Sequence, residues 1–131
     1  MNETTKPFFA PQLYIRNGVK DISFYTKGLG AIELRMFMND DGTIHVAELS
    51  IEGAIFHLHE ETQNAKSYSP ETLNGATTMI GLFVSDVDLV MQKAIAAGAV
   101  ETSPAQDYEY GYRQGEIKDP FGHYWLIEKK I

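Results

Sequence analysis

Hydrophobic and polar positions along this chain fall into short alternating runs, broken twice by a stripe at helical spacing. Leu13-Tyr14-Ile15 predicts a first strand that Asn17-Gly18 ends. Val19, Ile22, Phe24, Tyr25 and Leu29 recur at helical spacing, with Gly28 or Gly30 suited to stop the helix. Ile32 to Met38 alternates as a second strand, and Asn39-Asp40-Asp41-Gly42 is a hairpin signal, because Asp-Gly tolerates positive φ. Thr43 to Ile51 and Ala54 to His59 give two more strands around Glu52-Gly53.

The order then restarts. Residues 61 to 77 are polar, contain Pro70 and Gly75, lack periodicity and read as a linker. Met79 to Val84 predicts a strand. Ser85-Asp86 is a helix N-cap signal, with Asp88 in the first turn. Val87, Val90, Met91, Ala94 and Ile95 form the apolar stripe, and Gly98 ends it. Ala99 to Thr102, Tyr110 to Lys118 and Tyr124 to Glu128 follow as strands, the last two joined by the turn Asp119-Pro120-Phe121-Gly122. Gly30-Ala31-Ile32-Glu33 matches Gly98-Ala99-Val100-Glu101, each at a helix exit, so the repeat appears in residues as well as in element order. The pattern predicts an α+β chain of two tandem βαβββ modules, spanning residues 8–61 and 78–131 around a 62–77 linker, within a single domain 1–131.

Composition narrows what such a chain does. Its 131 residues suffice for one core. The net charge of −7 repels phosphate backbones and argues against a nucleic-acid partner. With no cysteine, thiol nucleophiles and thiolate metal sites are excluded. No apolar stretch approaches the roughly 20 residues of a membrane span. Met1 to Lys6 shows no basic region followed by an apolar run, so a cytoplasmic location is expected.

Several motifs, in order, resemble one known superfamily. Phe24-Tyr25 followed by Gly28-Leu29-Gly30-Ala31, Ser85-Asp86-Val87-Asp88 followed by Ala97-Gly98-Ala99, and Asp119-Pro120-Phe121-Gly122-His123 with Trp125 are similar to signatures of the vicinal-oxygen-chelate proteins. These are the glyoxalases, bleomycin-resistance proteins and extradiol dioxygenases. Pro11-Gln12-Leu13-Tyr14 and His45-Val46-Ala47-Glu48-Leu49 look most like the PhnB-like, glyoxalase-related branch. The resemblance covers about residues 8 to 130 and implies curved mixed sheets around a cleft, a small-molecule ligand and a homodimer.

Strand period two then assigns side chains to that cleft. With Leu13 and Ile15 packed inward, Gln12 and Tyr14 face it; with Phe56 and Leu58 inward, Ile55, His57 and His59 face it. In the second module Ile80, Leu82, Trp125 and Ile127 pack, leaving Met79, Gly81, Phe83, Tyr124, Leu126 and Glu128. The expected ligand-binding residues are Gln12, Tyr14, His57, His59, Phe83, Tyr124 and Glu128. The resemblance places metal ligands of the family's enzymes at Gln12, His57, Met79 and Leu126. A thioether and a hydrocarbon at two of the four positions lead us to expect no metal cofactor. The rival site is His57-Leu58-His59, whose imidazoles share a strand face and could hold zinc, nickel or manganese with Glu128 or Gln12.

The remaining candidates have structural readings beside functional ones. His45 suits a solvent-facing position or a sheet edge, His123 a hydrogen-bonded turn, Trp125 the core and Arg113 an exposed ion pair. Tyr108, Tyr110 and Tyr112 share one face, either a cleft rim or ordinary β surface. The expected function is a glyoxalase/bleomycin-resistance-like protein that binds a small organic molecule in an aromatic- and His-lined cleft. The alternatives are a metal-dependent lyase, isomerase or dioxygenase using His57, His59 and a carboxylate, and a metal-independent enzyme with His57 or Glu128 as general base.

Overall fold

The computed structural model describes residues 6–62, 64 and 66–131. The opening residues Met1–Thr5, read above for an export signal, lie outside the described residues, as do two positions of the linker. The chain runs β1 (Gln12–Ile15), α1 (Ser23–Leu29), β2 (Ile32–Met38), β3 (Ile44–Ile51), β4 (Ala54–Glu60), α2 (Pro70–Leu73), β5 (Met79–Phe83), α3 (Val87–Ala96), β6 (Val100–Tyr108), β7 (Tyr112–Lys118) and β8 (Tyr124–Lys130). Two four-stranded mixed sheets result, ordered β1-β4-β3-β2 and β5-β8-β7-β6. In each, the first strand runs parallel to the fourth, with Gln12 opposite His57 and Met79 opposite Tyr124, and the other pairings are antiparallel. This is the tandem βαβββ architecture that the repeat predicts.

Local chemistry sets the element ends. Asp86 caps α3 by accepting from the Leu89 amide at 3.1 Å. Gly30 ends α1 in the left-handed region at φ 71°, where a side chain is disfavoured. Gly28, the other candidate stop, instead lies inside α1 where it meets α3: a Cβ there would sit 3.0 Å from the Ala97 Cβ.

Three expectations need correction. The first helix is shorter than its apolar stripe, because Val19 and Ile22 are buried from the preceding loop rather than from a helix turn. The sixth strand reaches Tyr108 rather than Thr102. Pro104 hid it, yet β6 is the outer strand of its sheet and its register shifts between Ser103 and Gln106, so an absent N–H disrupts no regular ladder. The polar stretch read as linker carries α2, whose Ser69 side chain accepts from the Thr72 amide above Pro70 at the first turn.

One core serves both modules, on the helix-bearing faces of the sheets. Tyr25 of α1 is fully buried among Phe56, Phe121 and Trp125, with ring centroids 5.4, 5.8 and 6.2 Å away. The packing expected of Leu13, Ile15, Phe56, Leu58, Leu82, Trp125 and Ile127 is observed, and Ile80 is partly buried against them. The opposite faces of both sheets lie away from α1 and α3, while the short α2 touches β1 at their border.

Candidate functional site

On the open face of the first sheet, β1 presents Gln12 and Tyr14, and β4 presents His57 and His59, as alternation requires. The Gln12 Nε2 donates to the Ala10 carbonyl at 3.1 Å, which turns its Oε1 toward His59 Nε2. His59 Nε2 is then the protonated nitrogen, and its Nδ1 keeps a lone pair. Burial, with the neighbouring His57 and His45, holds the His59 pKa below the ordinary imidazole value, so the ring is neutral near pH 7. Tyr14 and His57 flank it at 5.6 and 6.1 Å between ring centroids. Glu48 of β3 stands opposite His57 in the ladder and adds a carboxylate to this face.

On the open face of the second sheet, Glu128 is the Cα partner of both Phe83 and Gln114. Its Oε1 accepts from Gln114 Nε2 at 2.8 Å. Its Oε2 hangs over Gly81, where a Cβ would meet it at 2.7 Å, so a side chain there would push the carboxylate out of this position. Glu128 is 7% exposed, whereas Phe83 is 57% exposed. Tyr124 does not join them. It lies near the start of β8, with the Lys118 Nζ 5.9 Å from its ring, in a hollow shared with Pro70, Glu71 and Pro120.

A groove of about 500 Å³ runs between the β1 and β5 edges, lined by Gln12, Tyr14, Tyr68, Met79, Gly81 and His123. Open-face residues of both sheets thus border one hollow. His123 fixes its floor by donating from Nε2 to the Tyr14 carbonyl at 2.7 Å, tying the turn before β8 to β1. His45 is exposed and pairs with Glu60 at 2.9 Å. Arg113 pairs with Asp88 and Asp107, and those carboxylates raise its pKa further.

The structure adds residues that the site assignment missed. Tyr108, Tyr110 and Tyr112 sit at the β6–β7 hairpin beside Phe83, and Gln114 and Glu48 lie on the open faces of β7 and β3. Alternation carried one strand further would have found the last two: Glu48 lies between Ala47 and Leu49, and Gln114 is two residues from Glu116 across Gly115.

The fold and this pair of open faces define a class of protein, and comparison places the chain in it. The Glyoxalase/Bleomycin resistance protein/Dioxygenase superfamily matches residues 11–127, and the chain belongs to that superfamily. An uncharacterized protein of Mycobacterium bovis is 33% identical over 129 residues, spanning 96% of this chain and 85% of the relative. An uncharacterized Arabidopsis thaliana protein is 27% identical over 83% of this chain and 69% of its own length. Among solved structures, an Arabidopsis thaliana gene product superposes with TM-score 0.72 at 23% identity, covering 95% of this chain and 100% of that one. TioX from Micromonospora sp. ML1 gives 0.70 at 23%, with the same coverage. The fosfomycin resistance protein FosX from Mesorhizobium loti gives 0.64 at 10%, covering 98% and 95%. These likenesses establish the shared fold. No described helix is long and apolar enough to cross a membrane.

Proposed function

We propose that this chain binds a small organic molecule against the open faces of its two sheets, in the manner of a metal-free member of the bleomycin-resistance type. One observation carries the reading: strand alternation leaves hydrogen-bonding side chains and aromatic rings, rather than ion pairs, on the faces turned away from α1 and α3 that border the β1–β5 groove. Gln12, Tyr14, His57 and His59 offer donors and acceptors on one side, and Phe83 and Glu128 offer a ring and a carboxylate on the other, with Tyr124, expected among them, set apart in its own hollow. The neutral His59 ring accepts a hydrogen bond through Nδ1 from a ligand O–H or N–H. The PhnB-like residues Pro11-Gln12-Leu13-Tyr14 contribute two of these side chains.

The donor chemistry supports a function without zinc, nickel or manganese. The positions that the resemblance marks for metal ligands hold Gln12, His57, Met79 and Leu126. At its two marked positions the second sheet then offers a thioether and a hydrocarbon, which do not fit a hard or borderline divalent ion. The Gln12 oxygen is already engaged by His59, and among the described residues no three His, Asp or Glu converge as a metal-holding group.

Pairing of two copies belongs to the same proposal. Ile32, Phe37, Phe83 and Tyr110 lie exposed on or beside the open faces, and a second chain set against them would close the cleft and cover its apolar rim. Light scattering should give twice 14.7 kDa, and a monomer across micromolar concentrations would reject the pairing. The binding reading itself is tested by mapping small-molecule contacts onto backbone amides, with the outcomes set out at the end of the Discussion.

A further inference from the structure

The aromatic residues on the second sheet's open face stand around a carboxylate that has no cationic partner. Phe83 of β5 meets Tyr112 of β7 edge-on, with centroids 6.0 Å apart. Tyr112 is followed at 5.8 Å by Tyr110, which is stacked on Tyr108 at 5.3 Å and 17°. Four rings thus form one continuous wall.

Glu128 sits at the foot of that wall. Through Oε1 it takes one neutral hydrogen bond, from Gln114, whose own oxygen accepts from the Tyr110 hydroxyl. Its Oε2 lies over Gly81 and receives no hydrogen bond from the described residues. No Lys, Arg or His among them pairs with Glu128. Arg113 is engaged by Asp88 and Asp107, Lys118 sits over Tyr124, and Lys130, opposite Tyr112, is exposed.

Glu128 is 7% exposed, and its Oε2, unbonded yet still reached by solvent, is a negative oxygen with nothing positive set against it, open to an incoming cation. The π faces of tyrosine and phenylalanine attract positive charge, most strongly where it is weakly hydrated. Both features select the same partner. The chain's net charge of −7 adds a long-range pull in the same direction.

We infer that the wall of Phe83, Tyr108, Tyr110 and Tyr112 with Glu128 recognises an organic ammonium group, such as the quaternary or tertiary nitrogen of a larger molecule. The rings cover the alkyl surface of the cation and Glu128 Oε2 supplies the countercharge. This rests on the reading that the open faces bind small molecules and names the chemical class they select.

The probe is choline, set against 3,3-dimethylbutan-1-ol, the neutral molecule of the same shape in which carbon replaces the charged nitrogen. Both are titrated into the unaltered ¹⁵N-labelled protein, and amide shifts are followed. Choline should shift the amides of Phe83, Tyr110, Tyr112 and Glu128 in a saturable way, and the alcohol should bind about tenfold more weakly or worse. Glu128→Gln should weaken choline about tenfold and the alcohol by clearly less. Equal affinities for the two probes in the unaltered protein, choline shifts mapping elsewhere, or no choline shifts at all would overturn the inference, and none of these depends on a variant folding. Neutral or anionic compounds shifting the open-face amides while choline fails would sink the cation preference and leave the binding reading standing.

Discussion

The Tyr25 hydroxyl donates to Asp119 Oδ2 at 2.6 Å, across 94 residues of sequence and from one module to the other. Asp119 is buried at the turn before β8 and also accepts from Trp125 Nε1 at 2.9 Å and from the amides of Phe121 and His123 at 2.8 and 3.0 Å. One carboxylate therefore holds the turn and the start of β8 while tying them to α1. Burial, reinforced by the Asp119 charge, pushes the Tyr25 pKa well up, which keeps its hydroxyl a donor.

Removing one donor and removing the acceptor should differ in cost. Tyr25→Phe deletes a single bond to a charged group and should destabilise by about 1.5–3 kcal/mol. Asp119→Ala strands several buried donors and should cost about 3 kcal/mol or more. Urea midpoints of the two variants test this ordering, and equal midpoints would refute it.

Gly81 and Gly115 both face close neighbours, with different expected consequences. At Gly115 a Cβ would lie 2.8 Å from Met91 Cε and 3.2 Å from the Ala105 backbone, between α3 and its sheet. Gly115→Ala should destabilise by about 1–3 kcal/mol through overpacking. At Gly81 the obstacle is the end of the Glu128 side chain, which can swing away. Gly81→Ala should keep the melting temperature near that of the parent but break the Glu128–Gln114 hydrogen bond, visible as a shift of the Gln114 side-chain amide. A larger stability loss at Gly81 than at Gly115 would contradict this.

Stability should respond to pH through His59. Its folded pKa is lowered, first by burial and then by His57 and His45, whereas the unfolded chain binds that proton at the ordinary imidazole value. Its contribution is therefore complete above about pH 6.5 and is lost as pH falls through the lower folded value. The drop in Tm between about pH 7.5 and pH 5.5 should shrink in His59→Gln. An unchanged drop would assign the sensitivity to other groups.

How much of this could be read from residues alone follows from the kind of signal each part leaves. Strands β1, β4, β5 and β8 were legible because Leu13 and Ile15, Phe56 and Leu58, Leu82, and Trp125 and Ile127 alternate with more polar or exposed neighbours. The ends of β6 were not. An outer strand tolerates proline, and Ser103, Pro104 and Asp107 resemble a loop. Helix α2 escaped because four residues carry no periodicity. Spacing placed Tyr108, Tyr110 and Tyr112 on one face, but nothing local reveals that Phe83, on another strand, completes the wall. The His123 bond to the Tyr14 carbonyl likewise depends on how two modules meet, which the pattern within each module does not encode.

The most direct test of metal-free binding at the open faces is an amide-shift screen of ¹⁵N-labelled protein against soluble neutral, anionic and cationic compounds, run before and after exhaustive dialysis against EDTA. Saturable shifts at Gln12, Tyr14, His57, His59, Phe83 and Glu128, unchanged by the dialysis, are the expected result. Compounds that shift these amides only when zinc, nickel or manganese is restored, or that bind elsewhere and leave them unmoved, would contradict it.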